Sequence, residues 1–348
     1  MRKELLHRKN EFGIFLRDYI DYYNMNNNEF AERIGTTPKN LIDILNGNIS
    51  ISQNMIYNIS FITGISVSFI EKIEKSFSVE KEINSYIEKN NLTIRQFINK
   101  FNYKELSEKY NVSYEDERND YNIAENILKF LRFNKPEPIY KKDNNIILYK
   151  SKNDKPELLA LWLEHCYRTV RDQELGIYNK DNIDKLVSFI RKEASNNRFD
   201  KERLIKEFNK NGIFLAIEPD LEGAKIRGAF RVLNDKPAIY LTPKYKRIAD
   251  VYFALFHELA HCKSDYNRAK SGSFVSIENI KSEEDYEIRA NKTAFNWMVN
   301  DKAYNDIVKS KNYEDNNEIK SFLVYRLAQD GHISYKSKLY QENNIIIN

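Results

Sequence analysis

The sequence predicts an α+β protein: an all-helical N-terminal domain over residues 1–75, a helical connector over 76–157, and a C-terminal domain over 158–348 in which helices surround a small antiparallel sheet. Three observations carry that prediction. Apolar residues recur at helical spacing over residues 11–75, with capping and turn residues between the runs. Short β-rich stretches between residues 212 and 241 are separated by turn residues. Residues 251–262, VYFALFHELAHC, are apolar around most of a helix yet carry two histidines four positions apart.

In the N-terminal domain Phe12, Phe15, Leu16, Tyr19 and Ile20 form one amphipathic stripe, and residues 28–34 bury Phe30, Ala31 and Ile34. Thr37 is placed to cap the next helix, Pro38 suits its first turn, and Leu41, Ile42 and Leu45 are its expected inner face before Asn46-Gly47-Asn48 closes it. Runs over 52–63 and 66–73 continue the pattern, which has helix-turn-helix spacing. Phe30-Ala31-Glu32-Arg33-Ile34-Gly35, with Leu41 and Leu45-Asn46-Gly47, resembles the Xre/Cro-type helix-turn-helix of phage and plasmid repressors. That resemblance makes residues 38–45 a recognition helix. Thr37, Lys39 and Asn40 become candidate DNA contacts, with Asn suited to adenine edges and Lys to phosphate or guanine. Charge pulls the other way: nine Lys/Arg and nine Asp/Glu cancel over residues 1–75, where strong DNA binding draws on a basic face.

The connector is polar, with helical stripes such as Ile83, Tyr86, Ile87 and Ile123, Ile127, Phe130, Leu131, and carries no chemistry. Residues 133–157, with Pro136, Pro138 and Pro156 among charged residues, read as a linker or exposed loop. Helices are expected over 158–170, 182–195 and 202–211. Strands are expected over 212–217, 228–233 and 238–241, the last two joined by Asn234-Asp235-Lys236-Pro237.

The chemistry concentrates in His257-Glu258-Leu259-Ala260-His261. On a helix both imidazoles share a face, where neutral nitrogens suit Zn²⁺, and Glu258 can reach a water beside the metal as general base without being a ligand. A catalytic zinc takes three protein ligands, so a third is required. Glu287 supplies it, because in residues 282–299 it lies on the face that carries Ala290, Ala294 and Trp297. Glu283, Glu284 and Asp285 read instead as a solvated helix start. His165 and His332 read as structural or surface residues, although His332 is also an electrophile candidate; Cys262 points about 100° away from His261 and reads as core.

The first motif, followed by Glu287-Ile288-Arg289-Ala290-Asn291 and Ala294, resembles the ImmA/IrrE family of intracellular zinc metallopeptidases, and the likeness covers roughly the C-terminal half. It implies a zincin-like metallopeptidase domain, Zn²⁺ on His257, His261 and Glu287, catalysis by Glu258, and a repressor-type helix-turn-helix protein as substrate in stress-response or mobile-element control. Where the family often ends its second motif with Leu/Ile-Pro, this chain has Met298-Val299-Asn300.

Two cysteines, the absence of an apolar run of signal-peptide length after the charged first residues, and the lack of a membrane-length stretch give the expectation of a cytoplasmic protein with no membrane partner. The leading expectation is a regulatory endopeptidase. Its N-terminal domain docks repressors, binds operator DNA or is itself the thing cut, and offers a route to a homodimer. The alternative is a DNA-binding regulator or antitoxin-like protein whose metal half acts as a sensor or is weakly active.

Overall fold

The computed structural model describes the chain except residues 1, 115, 141–142, 145–146, 149–154, 245–246, 271–273, 278–284, 315 and 348. Glu283, Glu284 and much of the linker expected over 133–157 therefore lie outside the described residues. The chain divides into two compact units, residues 1–99 with 112–137, and residues 100–111 with 138–348. Among the described residues no helix is long and apolar enough to cross a membrane.

The first unit is all helical. Its helices Arg2–Tyr22, Asn27–Arg33, Pro38–Leu45, Gln53–Thr63 and Val67–Lys89 enclose a core that includes Leu16, Phe30, Ile34, Leu41, Ile44, Ile56, Ile59 and Ile70. Each short helix starts on a polar cap: Asn26, Thr37, Ser52 and Ser66 accept from the backbone amide three residues on. Gly13 lets the first helix press against the end of Pro38–Leu45, since a Cβ there would lie 2.0 Å from the Leu45 carbonyl oxygen. Two core expectations are corrected, and the first is Phe15, which is exposed rather than part of the buried stripe of its helix. The second is Ile42, which is exposed while Ile44 is buried: the two flank the line from Leu41 to Leu45 equally, and the helices packed on Pro38–Leu45 cover the Ile44 side. Val67–Lys89 runs on past position 75 and buries Ile83 and Ile87, with the helices Ile94–Asn99 and Asp120–Leu131 packed beside it.

The second unit is built on a four-stranded sheet in the order Phe214–Ile217, Lys236–Leu241, Ile226–Leu233, Phe274–Ile277. The sheet is mixed, where a purely antiparallel one is expected from the sequence. Phe214–Ile217 pairs parallel to Lys236–Leu241, and the other pairings are antiparallel. The reason is connectivity. Ile226–Leu233 runs opposite to Phe214–Ile217, and the hairpin that Asn234 and Asp235 turn with positive φ at both positions reverses the chain again, so Lys236–Leu241 runs the same way as the earlier strand beside it. Alternation and turn residues report strands and hairpins, but not the order in which strands line up.

Both faces of the sheet are covered. Leu215, Ile217, Phe230, Ile239 and Leu241 join the core that contains Tyr252, Phe256 and Leu259 of the helix Ile248–Ser264. On the opposite face Tyr240 meets Trp162 of the helix Pro156–Val170, whose indole donates to the Glu218 carbonyl. Helices Ile183–Ser195, Asp285–Met298 and Lys320–Gln329 close around Ile248–Ser264.

The start of Ile248–Ser264 is finished by the other end of the unit. Its N-cap, Arg247, provides no side-chain cap. Instead the buried Asn344 accepts from the Ala249 amide at 3.1 Å and donates to the Asp250 carboxylate at 3.1 Å, while the Ile248 amide donates to the Ile345 carbonyl. Asn344 thus caps a helix that it does not belong to. Asn344→Ala is expected to lower the unfolding free energy of this unit by about 1 kcal/mol, the usual worth of a polar cap. Urea unfolding measures it, and an unchanged midpoint would show the cap to be idle.

Candidate metal centre

The helix Ile248–Ser264 is buried from Val251 to Cys262, which follows from a sequence apolar on almost every side. His257, Glu258 and His261 are the polar exceptions, and all three are buried. Across from them runs Asp285–Met298, whose buried Ala290 and Ala294 allow the two helices to approach closely. That approach delivers Glu287. His257 Nε2 and His261 Nε2 are 3.1 Å apart, His257 Nε2 is 3.2 Å from Glu287 Oε2, and His261 Nε2 is 3.4 Å from Glu287 Oε1.

The separations fit a shared cation. Ligands about 2.0–2.1 Å from a tetrahedral ion stand about 3.3 Å from one another, and the observed distances bracket that value. The donor set of two imidazoles and one carboxylate suits zinc. The far ring nitrogens are also committed: His257 Nδ1 lies 2.9 Å from Asn291 Oδ1 and His261 Nδ1 lies 2.9 Å from Asp265 Oδ2. Both acceptor oxygens lack protons to give, so each Nδ1 donates, and in the neutral form that a metal requires each Nε2 presents its lone pair toward the other two ligands.

Neither Asn291 nor Asp265 is assigned a role by the sequence reading. The available signal is spacing, since Asp265 follows His261 by four residues and Asn291 follows Glu287 by four.

Glu258, which lies between the two histidines in sequence, meets the sheet. Its carboxylate packs on Gly228, where a Cβ would come within 2.7 Å of Glu258 Oε1 and 2.9 Å of its Cγ. The missing side chain at Gly228 is therefore the space that Glu258 occupies. Gly228→Ala is expected to push the Glu258 carboxyl aside and to destabilise the fold by about 1–3 kcal/mol, as overpacking does, while zinc uptake is retained. A crystal structure of the variant and its unfolding curve check this, and an unmoved Glu258 would refute it.

The electrostatics follow from burial and pairing. Burial pushes the Glu287 carboxyl up, but hydrogen bonds and charge from His257 and His261 outweigh it and hold the group at about 2. Burial pushes His261 down, yet Asp265 and Glu287 together raise it above its ordinary 6.5. A lowered carboxyl stabilises the fold above its ordinary 4.5 and loses that contribution as pH falls toward 2, whereas a raised imidazole stabilises below 6.5 and loses its contribution as pH rises. In metal-free protein the cluster should therefore contribute most between pH 4.5 and 6.5. Urea unfolding of wild type and Glu287→Gln across the pH range should show the largest difference in that window, and a difference that grows steadily toward pH 9 would contradict the pairing.

The remaining candidates are placed as follows. His165 stacks on Tyr110 with ring centroids 3.9 Å apart and lies 3.2 Å from Glu218. His332 is exposed, with its ring 6.3 Å from that of Tyr304. Cys262 is buried against Tyr178, and burial pushes its thiol up to about 12. In the first unit Thr37 accepts from the Asn40 amide at 3.2 Å, the Asn40 side chain donates to Thr36 Oγ1 at 2.7 Å, and Lys39 is exposed. Thr37 and Asn40 thus serve the start of their own helix. No family model matches the chain, and neither the curated proteins nor the solved structures give a match.

Proposed function

We propose that the chain is a zinc-dependent endopeptidase of the kind that the ImmA/IrrE resemblance implies, cutting a repressor-type helix-turn-helix protein in stress-response or mobile-element control. The observation that carries this reading is the meeting of His257, His261 and Glu287 at bonding separation, with Glu258 buried beside them. Zinc bound there would supply Lewis acidity toward a peptide carbonyl and toward water. The chain's own residues supply the rest. Glu258 accepts a proton at a carboxylate oxygen and passes it to the departing amine, and Gly228 leaves the room for it to do so. Asn291 and Asp265 hold the two rings in one tautomer throughout. The strand that carries Gly228 pairs with the sheet's edge strand Phe274–Ile277, and an extended substrate can add to such an edge.

The first unit would recruit the substrate. Its balanced charge over residues 1–75, and the exposure of Tyr57 and of Phe61 at 89% on one face of Gln53–Thr63, weigh toward a protein partner over operator DNA. Zinc-loaded protein incubated with a repressor-type helix-turn-helix protein encoded in a neighbouring reading frame, where there is one, should release defined fragments by mass spectrometry. Glu258→Gln should keep stoichiometric zinc and slow cleavage by about 10²–10⁴-fold, whereas Glu287→Ala should lose the metal. Stoichiometric zinc in Glu287→Ala, or undiminished cleavage by Glu258→Gln, overturns the assignment. Tight operator-specific retardation of DNA at physiological salt without any cleavage would favour a DNA-binding regulator with a metal sensor.

A further inference from the structure

The two histidines are held from behind by different chemistry. His257 donates to the neutral amide of Asn291, but His261 donates to a carboxylate, and that carboxylate has a second partner. Asp265 follows the last turn of Ile248–Ser264, where its backbone amide donates to the His261 carbonyl at 2.7 Å. Its side chain folds back onto the same residue's ring, so His261 is gripped at both carbonyl and imidazole. A negative charge at this end of a helix meets the negative pole of the helix dipole, and the Asp265 side chain is only 5% exposed. Such a carboxylate needs a compensating cation. Arg289 provides it by donating to Asp265 Oδ1, the oxygen that His261 does not use.

Arg289 lies two residues beyond Glu287 on Asp285–Met298. One helix therefore brings both the carboxylate that faces the histidines and the guanidinium that anchors the group behind His261. Resting on the metal-site reading above, we propose that Arg289 is a positioning residue for the metal centre. It acts through Asp265 to keep the His261 ring turned with Nε2 toward Glu287 and His257, and it locks the end of the histidine helix to the start of the glutamate helix. Its side chain is 50% exposed, so it can be replaced without opening a cavity. Orienting groups behind metal-bound histidines commonly carry about 10–100-fold in metal affinity. Arg289, one step further back, should sit at the lower end of that range.

The test is a thermodynamic cycle on the full chain. Zinc affinity is measured by competition with a chromophoric chelator for wild type, Arg289→Ala, Arg289→Lys, Asp265→Ala and the Arg289→Ala/Asp265→Ala double variant, and the thermal melt of each metal-free protein reports folding. Arg289→Ala should weaken zinc binding about tenfold and Asp265→Ala by about 100-fold, and Arg289→Lys should recover most of the loss. The double variant should bind no more weakly than Asp265→Ala alone, because a group that works through Asp265 has nothing left to act on. The visible spectrum of the Co²⁺-loaded Arg289→Ala protein should also shift, which a general loss of stability would not cause. An unchanged affinity in Arg289→Ala, or a loss that adds in full to that of Asp265→Ala, overturns the proposal. Wild-type protein that takes up no zinc overturns the metal reading itself, and this one with it.

Discussion

Two imidazole nitrogens 3.1 Å apart, buried and facing the same carboxylate, are the constraint on which the second unit depends. Lone pairs at that separation repel, and a carboxylate withdrawn from water loses solvation worth several kcal/mol. The cluster is tolerable only with positive charge at its centre, supplied by protons on the imidazoles or by a metal ion. Glu287 is held at about 2 because hydrogen bonds and charge from the two imidazoles outweigh its burial, so in the metal-free protein the imidazoles themselves fill that role. A packed apolar pair of helices would be the more stable solution at this place, so the cost of keeping polar groups here points to chemistry rather than to folding.

The rest of the unit can be understood as support for that cluster. Small residues sit where the backbones must approach, Ala290 and Ala294 between the helices and Gly228 between helix and sheet. The apolar wall of Phe253 and Phe256 and the aromatic contacts to Phe295, Trp297 and Phe322 keep the histidine helix from shifting along its axis. Asn344 ties down its far end. A displacement of about 1 Å in either helix would spoil ligand geometry, so the tight packing and the cap both serve to hold register.

Much of the centre is legible in the sequence because it is local. His257, Glu258 and His261 lie within five consecutive residues, and helical periodicity alone puts the imidazoles on one face. Glu287 is legible one step less directly, through the stripe it shares with Ala290 and Ala294. What is not legible depends on how distant elements meet. The parallel pairing of Phe214–Ile217 depends on its lying beside Lys236–Leu241, two chain reversals later, rather than beside Ile226–Leu233. The role of Asp265 depends on a ring rotated back toward it and on a guanidinium from another helix. Ile42 is a different kind of miss: Ile44 and Ile42 are chemically identical candidates in one short helix, and only the surrounding helices decide which of them faces inward.

Helix ends add a further bias toward the same charge pattern. His261 falls in the last turn of Ile248–Ser264, where exposed carbonyls favour a cation, and Glu287 falls in the first turn of Asp285–Met298, where free amides favour an anion. Each helix end thus favours the charge it carries, by about 0.3–1 kcal/mol. That is too little to offset burial of the carboxylate, which is why the imidazoles and a cation are still required. It is enough to set the polarity of the site: a reversed arrangement, with the acid at the carbonyl end and the histidines at the amide end, would work against both helices. Asp265 is a charge placed against this trend, and it is provided with its own guanidinium.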